Sequence, residues 1–79
     1  MALAPGVEMD PDVCGGEARI VRTRIPVWVL ERARRLGVRE AELLRSYPGL
    51  RAEDLASAWT YAREHREEMD RNIADNGAA

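Results

Sequence analysis

The segment Thr23-Arg24-Ile25-Pro26-Val27 decides the fold, because it joins an extended stretch to a helix. Proline has a φ close to the helical value and no N–H to leave unpaired, so Pro26 suits the first helical position. The residue before a proline is kept out of the helical region, which makes Ile25 extended. Gly37 is a good C-terminal cap. The segment therefore predicts a strand that ends near Ile25 and a first helix over about residues 27–36.

The stretch before this junction, residues 18–25, is predicted to form one short strand. It contains four β-branched residues, and these favour extended structure. A single strand is not stable alone, so we expect it to pair with residues 12–15 or with a second copy of the chain. Residues 1–17 contain the breaker signals Asp10-Pro11-Asp12 and Gly15-Gly16, which predict a mobile N-terminal arm.

Two more helices are expected after Gly37. The second covers about residues 39–46 and is stopped by Pro48-Gly49. The third begins near Ala52 and keeps apolar residues at spacings of three and four as far as residue 73. Its first half can cover the other two helices, whereas Met69 and Ile73 are expected to be exposed unless a partner covers them. The alternative is a helix that frays after about residue 64.

Size and charge limit what the chain can be. A chain of 79 residues forms one domain of marginal stability, which favours a homodimer or a partner protein. Its single cysteine fits a reducing cytoplasm, and neither a signal peptide nor a membrane span is expected. Residues 1–18 carry four acids and no base, residues 19–51 carry nine arginines against three acids, and residues 52–79 carry seven acids against three arginines. This basic middle either binds an anionic surface or is neutralised by the acidic ends.

No set of residues resembles a catalytic or metal site. The single histidine, His65, lies among glutamates on the expected polar side of the third helix, which is typical of a solvated surface. Cys14 has no nearby histidine in the sequence, and Gly15-Gly16 does not match a phosphate-binding loop. We therefore expect neither enzyme activity nor a cofactor.

The basic residues are candidates for DNA contact. Glu53 and Asp54 at the start of the third helix would repel phosphates, so this helix is a poor candidate for the recognition helix in the major groove. A two-stranded ribbon from a dimer could instead enter the major groove. Salt bridges to the acidic arm are the alternative role for the same side chains. The arginines predicted to contact DNA are Arg19, Arg22 and Arg24 on the strand, together with Arg32, Arg35 and Arg39.

Three stretches of the sequence resemble the DUF433 family of small bacterial proteins. They are Arg22-Thr23-Arg24-Ile25-Pro26-Val27, Tyr47-Pro48 and Leu50-Arg51-Ala52-Glu53-Asp54, and Gly15-Gly16-Glu17-Ala18 precedes them where the family has a glycine-rich turn. The resemblance covers about residues 12–64. The chain departs from the family pattern where Arg22 replaces a glycine and where Arg39 and Arg51 replace Ser- or Thr-type helix caps.

This resemblance implies a mainly α fold, with a three-helix homeodomain-like (helix-turn-helix) core over residues 18–66 and a short N-terminal strand or hairpin. Residues 67–79 are then a helical extension and a frayed tail. The resemblance also implies a VapB-type antitoxin that binds a PIN-like ribonuclease toxin and also its own operator DNA. On that analogy, residues 59–73 bind the toxin. The side chains predicted to do so are Trp59, Arg66, Met69 and Ile73.

Two other functions fit the same residues. A stand-alone DNA-binding regulator would bind its promoter without a partner and with a steep dependence on salt. An adaptor module would oligomerise through Met69 and Ile73 and have no affinity for nucleic acid.

Overall fold

Four helices pack beside a small antiparallel sheet in the computed structural model, which describes residues 2–4, 6–9 and 17–77. The strands are β1 (Ala2–Ala4), β2 (Val7–Glu8) and β3 (Arg19–Ile20), and the helices are α1 (Val27–Arg35), α2 (Glu40–Ser46), α3 (Ala52–Glu64) and α4 (Arg66–Gly77). The predicted mainly α class is confirmed. A homeodomain-like arrangement of three of the helices stays a prediction.

The sheet has the order β1-β2-β3, and β2 is its central strand. Val7 lies opposite Ile20, and both side chains are fully buried, so this pair joins the sheet to the core. The strand prediction was therefore wrong in two respects, because β3 ends at Ile20 and its partner is β2. Part of the predicted arm over residues 1–17 forms strands, since Val7 fills an apolar position opposite β3. Residues 10–16 of that arm lie outside the described residues.

A tight turn replaces the end of the predicted strand. The Thr23 N–H donates to the Ile20 carbonyl at 3.2 Å, which closes a turn over residues 20–23. Arg22 is the third residue of this turn and has a φ of 67°. A type II turn needs positive φ at this position and therefore favours glycine. The arginine that departs from the family pattern thus occupies a backbone conformation that is unfavourable for any residue with a Cβ.

Arg22 is held in that conformation by an ion pair with the start of α3. Its Nη2 atom donates to Asp54 Oδ1 at 3.0 Å and to Oδ2 at 3.3 Å, and the Asp54 carboxylate is buried. Asp54 also accepts a hydrogen bond from the Arg51 backbone N–H at 2.9 Å. One carboxylate therefore satisfies the first turn of α3 and anchors the turn after β3.

Helices α2 and α3 begin without a Ser or Thr cap, so other groups must pair with the N–H groups at their N-terminal ends. Arginine has no acceptor atom, so Arg39 and Arg51 cannot cap α2 and α3 with their side chains. The third residue of each helix supplies a carboxylate instead: Asp54 binds the Arg51 N–H, and Glu42 lies 3.5 Å from the Arg39 N–H, at the limit for a hydrogen bond. Half of a capping box thus remains at each helix. The first turn of α3 is consequently the better satisfied of the two.

The helix predicted to run unbroken to residue 73 is interrupted at His65. This residue has a φ of −128° and a ψ of 47°, so α3 ends at Glu64 and α4 turns back to pack on α1. Met69 on α4 is fully buried, and Ile73 is half-buried. The prediction that both would be exposed was wrong, because the break lets the second half of the stripe reach α1 in the same chain.

Polar contacts fix α4 at both ends. The Tyr61 hydroxyl lies 2.9 Å from both carboxylate oxygens of Glu68, and burial together with this carboxylate raises the pKa of Tyr61 above its ordinary range. Near the other end, Asn76 Nδ2 donates to Glu17 at 2.9 Å, and Glu17 also accepts from the Trp28 indole N–H. Helix α4 is thus an integral part of the domain. Each helix in the described residues is too short or too polar to cross a lipid bilayer.

Removing the Met69 side chain should lower the free energy of unfolding strongly. Met69→Ala leaves a cavity in a site with no solvent exposure, and a change of this kind costs about 2–5 kcal/mol. Ile73→Ala, on the same helix but only half-buried, is the matched control and should cost clearly less. Urea unfolding followed by circular dichroism measures both. Equal losses for the two variants would contradict the burial of Met69 against α1.

The positive φ at position 22 is tested by a pair of variants. Arg22→Ala and Arg22→Gly both lose the ion pair with Asp54, but only glycine adopts this φ without a steric cost. We expect Arg22→Gly to be more stable than Arg22→Ala by about 1 kcal/mol in the same unfolding experiment. If alanine were equally stable, residue 22 would have a negative φ in solution.

Candidate functional site

An open groove lies where α1, α3 and α4 meet, with Glu40 of α2 at its edge. Its volume is about 770 Å³. The lining combines four arginines, three carboxylates, one aromatic ring and one small apolar side chain: Arg34, Arg35, Arg63, Arg66, Glu31, Glu40, Asp70, Trp59 and Ala62. The groove exists because α4 turns back at residue 65 and brings its first turns beside the end of α1.

Glu31 organises the α1 wall of this groove. Its side chain is almost fully buried, and it accepts hydrogen bonds from Arg34 at 2.8 and 2.9 Å and from Arg35 at 2.8 Å. Spacings of three and four place these residues on one side of a helix. Burial acts to raise the pKa of Glu31, but the hydrogen bonds from Arg34 and Arg35 outweigh it and hold the pKa below its ordinary value. Glu31 is thus a fixed negative charge between two cations.

The two arginines of α1 are held in place by their partners. Arg34 donates through Nε and Nη2 to Glu31, and this hydrogen bond raises its pKa. Arg35 binds Glu31 and also reaches Asp70 on α4 at 2.8 Å, and these two carboxylates raise its pKa. Arg35 therefore connects α1 to α4 across the groove.

Trp59 forms the aromatic part of the groove. Its indole N–H donates to Glu40 at 2.9 Å, which fixes the ring relative to α2. The Arg34 guanidinium lies 5.7 Å from the centre of the ring, within the range of a cation–π contact. The ring is half-buried, so part of its apolar surface lines the groove.

The side chains of Arg63 and Arg66 differ from those of Arg34 and Arg35. All four side chains are exposed, but those of Arg63 and Arg66 make no hydrogen bond or ion pair with any of the residues that the structure describes. They lie on either side of the break at His65, Arg63 at the end of α3 and Arg66 at the start of α4. Glu64, Glu67 and Glu68 lie near them without forming an ion pair with either. Two guanidinium groups with no bound carboxylate, beside an aromatic ring, suit the binding of a carboxylate or another anion.

The single histidine, His65, lies beside an aromatic ring and near a carboxylate. His65 stacks on the Tyr61 ring at a centroid distance of 4.1 Å, and its Nδ1 lies 3.9 Å from Glu68. Within residues 2–4, 6–9 and 17–77, no three His, Cys, Asp or Glu side chains are grouped so that they could hold a metal ion. Cys14 lies outside these residues.

The arginines predicted to contact DNA are divided between several surfaces. Arg19, Arg22 and Arg24 line a shallow pocket of about 280 Å³ with Thr23, so the structure does bring these three together. Arg19, however, is paired with Glu8 and Arg22 with Asp54, as in the alternative in which the basic residues form salt bridges. Of the remaining three, Arg35 lines the groove, whereas Arg32 and Arg39 are exposed elsewhere.

The residues predicted to bind a partner are also divided. Trp59 and Arg66 line the groove, but Met69 is in the core and Ile73 is half-buried. The sequence analysis did not name the groove residues Glu31 and Arg34, and it included Arg63 and Asp70 only as part of residues 59–73. Two signals were present in the sequence, namely the spacing of Glu31 with Arg34 and Arg35, and the spacing of four between Trp59 and Arg63 on one helix. The contribution of Asp70 depends on the position of α4 and had no such signal.

Replacing Glu31 should change how stability depends on pH. Its folded-state pKa is lower than the ordinary value of 4.5, so its charged form stabilises the fold fully above about pH 4.5, and this contribution disappears as the pH falls through the folded-state pKa. Glu31→Gln should therefore lower the free energy of unfolding by roughly 1–3 kcal/mol at pH 7. The difference from the wild type should shrink below pH 4.5.

Urea unfolding at a series of pH values measures this difference. Glu67→Gln removes an exposed carboxylate that makes no ion pair among the described residues, so it should change stability by less than about 0.5 kcal/mol at every pH. A loss for Glu31→Gln that is independent of pH would show that its charge does not contribute.

A crystal structure of a DUF433 member protein from Anabaena variabilis ATCC 29413, at 2.00 Å resolution, is similar to this fold. The TM-score is 0.84 and the sequence identity is 52%, and the match covers 87% of this chain and 68% of that chain. No curated protein matches the sequence.

The match to a protein family covers most of the domain described above. The model of a protein family of unknown function, DUF433, matches residues 7–62, from β2 to the last turn of α3. These residues include the turn at Arg22, helix α1 with Glu31, and Trp59. Helix α4, which supplies Arg66 and Asp70 to the groove, lies beyond the matched residues. Since the match spans more than half of the sequence, this protein belongs to the DUF433 family.

Proposed function

We propose that this protein is a non-catalytic antitoxin that binds and neutralises a PIN-like ribonuclease toxin in the cytoplasm. The observation that carries the proposal is the groove beside Trp59, where Arg63 and Arg66 have no partner among the described residues. Trp and Arg are enriched among the residues that dominate protein–protein binding energies. The class of partner is taken from the antitoxin role that we expect for the DUF433 family.

We propose that the toxin binds side chains of residues 59–73 other than Met69 and Ile73. A free C-terminal helix with an exposed apolar stripe does not fit a chain in which Met69 is buried. The groove combines two of the residues first predicted for this role, Trp59 and Arg66, and it is open to solvent. We therefore assign partner binding to the groove. Binding of operator DNA and formation of a homodimer stay predictions.

Affinity purification of the tagged full-length protein from its host, followed by mass spectrometry, tests the proposal. We expect a stoichiometric ribonuclease, and its cleavage of RNA should stop when the two proteins are present in equal amounts. Trp59→Ala and Arg66→Glu should each require an excess of antitoxin for the same inhibition. Point variants are preferable to truncation after Glu64, because truncation would also remove Met69 from the core.

Arg45→Glu is the matched control, since it reverses one exposed charge on α2 outside the groove. It should neutralise the ribonuclease as well as the wild type does. Purification of a partner without ribonuclease activity, or of a homo-oligomer alone, would overturn the antitoxin proposal.

A further inference from the structure

We propose that the groove recognises an acidic peptide segment with an apolar residue, in which carboxylates bind Arg63 and Arg66 and the apolar side chain packs on Trp59. This proposal rests on the function proposed above, because it names the chemistry that the partner must present. It concerns a segment of a partner protein.

The ion pairs inside the groove decide which arginines are available. Arg34 and Arg35 are oriented by Glu31, and Arg35 also by Asp70, so their charges are largely compensated within the fold. Arg63 and Arg66 have no such carboxylate among the described residues. They are the cations that an incoming ligand can neutralise, and a guanidinium can bind a carboxylate through two hydrogen bonds.

Trp59 adds an apolar surface next to these two charges. Glu40 binds the indole N–H, and Arg34 lies near the ring, so the orientation of the ring is set before any ligand binds. A side chain held by existing contacts loses little freedom on binding, which favours affinity. Ala62 is the only small apolar neighbour among the lining residues, so it leaves space beside the ring.

The negative charges of the groove favour a peptide over a nucleic acid. Glu40 and Asp70 lie among the lining residues, and the whole chain has a net charge of −2. A nucleic acid carries a phosphate at every nucleotide and would bring several of them against these carboxylates. A peptide can place acidic residues only at Arg63 and Arg66 and can offer backbone N–H groups to the carboxylates.

Fluorescence anisotropy with a defined probe tests the proposal. The probe is a fluorescein-labelled peptide with one Asp-Leu-Glu triplet between uncharged Gly-Ser segments, and its uncharged counterpart has Asn-Leu-Gln in place of the triplet. We expect the full-length protein to bind the acidic peptide, to bind it more weakly as salt is raised, and not to bind the uncharged peptide. Arg63→Glu and Arg66→Glu should each weaken binding about tenfold, which corresponds to 1.4 kcal/mol.

Arg45→Glu is the matched charge reversal outside the groove and should leave the affinity nearly unchanged. Trp59→Ala should weaken binding of the Asp-Leu-Glu peptide but have little effect on a peptide in which serine replaces the leucine. Circular dichroism of each variant establishes that it is folded.

Equal losses for Arg45→Glu and Arg66→Glu would overturn the proposal, because they would mean that binding follows net charge alone. Tighter binding of a single-stranded oligonucleotide than of the acidic peptide would overturn it too.

The peptide-binding proposal and the antitoxin proposal can fail independently, and the experiments distinguish the two cases. Binding of the peptide as described, combined with a purified partner that is not a ribonuclease, would support the groove chemistry and reject the antitoxin. Inhibition of a ribonuclease that is unaffected by Arg63→Glu and Arg66→Glu would reject the groove as its binding site and keep the antitoxin.

Discussion

The burial of Met69 is the constraint on which the rest of the structure depends. The sheet and the first three helices form a core that is completed only when α4 turns back at His65 and inserts this side chain. A domain of this size has few apolar groups to bury, so each fully buried residue is a substantial part of its stability. The same turn brings Asp70 to Arg35 and Arg66 to the rim of the groove. The same turn in the chain therefore completes the core and forms one wall of the candidate binding site.

Two buried carboxylates organise the charges of the chain. Glu31 holds a pair of arginines on α1, and Asp54 holds Arg22 and the start of α3. A buried ion is tolerated only when hydrogen bonds compensate for lost hydration, and both carboxylates accept several. The basic middle of the sequence is thus partly neutralised inside the fold, with acids that come from the middle as well as from the acidic end. The acids of these pairs are buried, whereas the side chains of Arg22, Arg34 and Arg35 stay partly exposed with a carboxylate partner.

The sequence predicted the features that depend on neighbouring residues, such as helix ends at prolines. It did not predict the features that depend on packing between distant residues. Pro26 marked the start of α1 at Val27, although Pro26 itself is extended, with a ψ of 145°, and is not the first helical residue that was predicted. Pro48-Gly49 likewise marked the end of α2. The break at His65 has no Pro or Gly to mark it, since it is stabilised by the packing of Met69 against other elements. The β2–β3 pairing likewise depends on Val7 meeting Ile20 across the intervening chain. The groove was only partly predictable because its two walls come from helices whose relative position follows from that break.

Helix α4 contributes to the core through Met69 and to the groove through Arg66 and Asp70, and this double role couples binding to stability. A ligand that binds only the folded groove must stabilise the docked position of α4, by an amount that grows with ligand concentration relative to the dissociation constant. The family match ends at residue 62, before this helix begins. The family segment therefore supplies Trp59 and the wall on α1, whereas the residues after it supply the second wall. Changes within α4 can alter the charge of the groove while the fold of residues 7–62 is kept, provided that a residue like Met69 still fills the core.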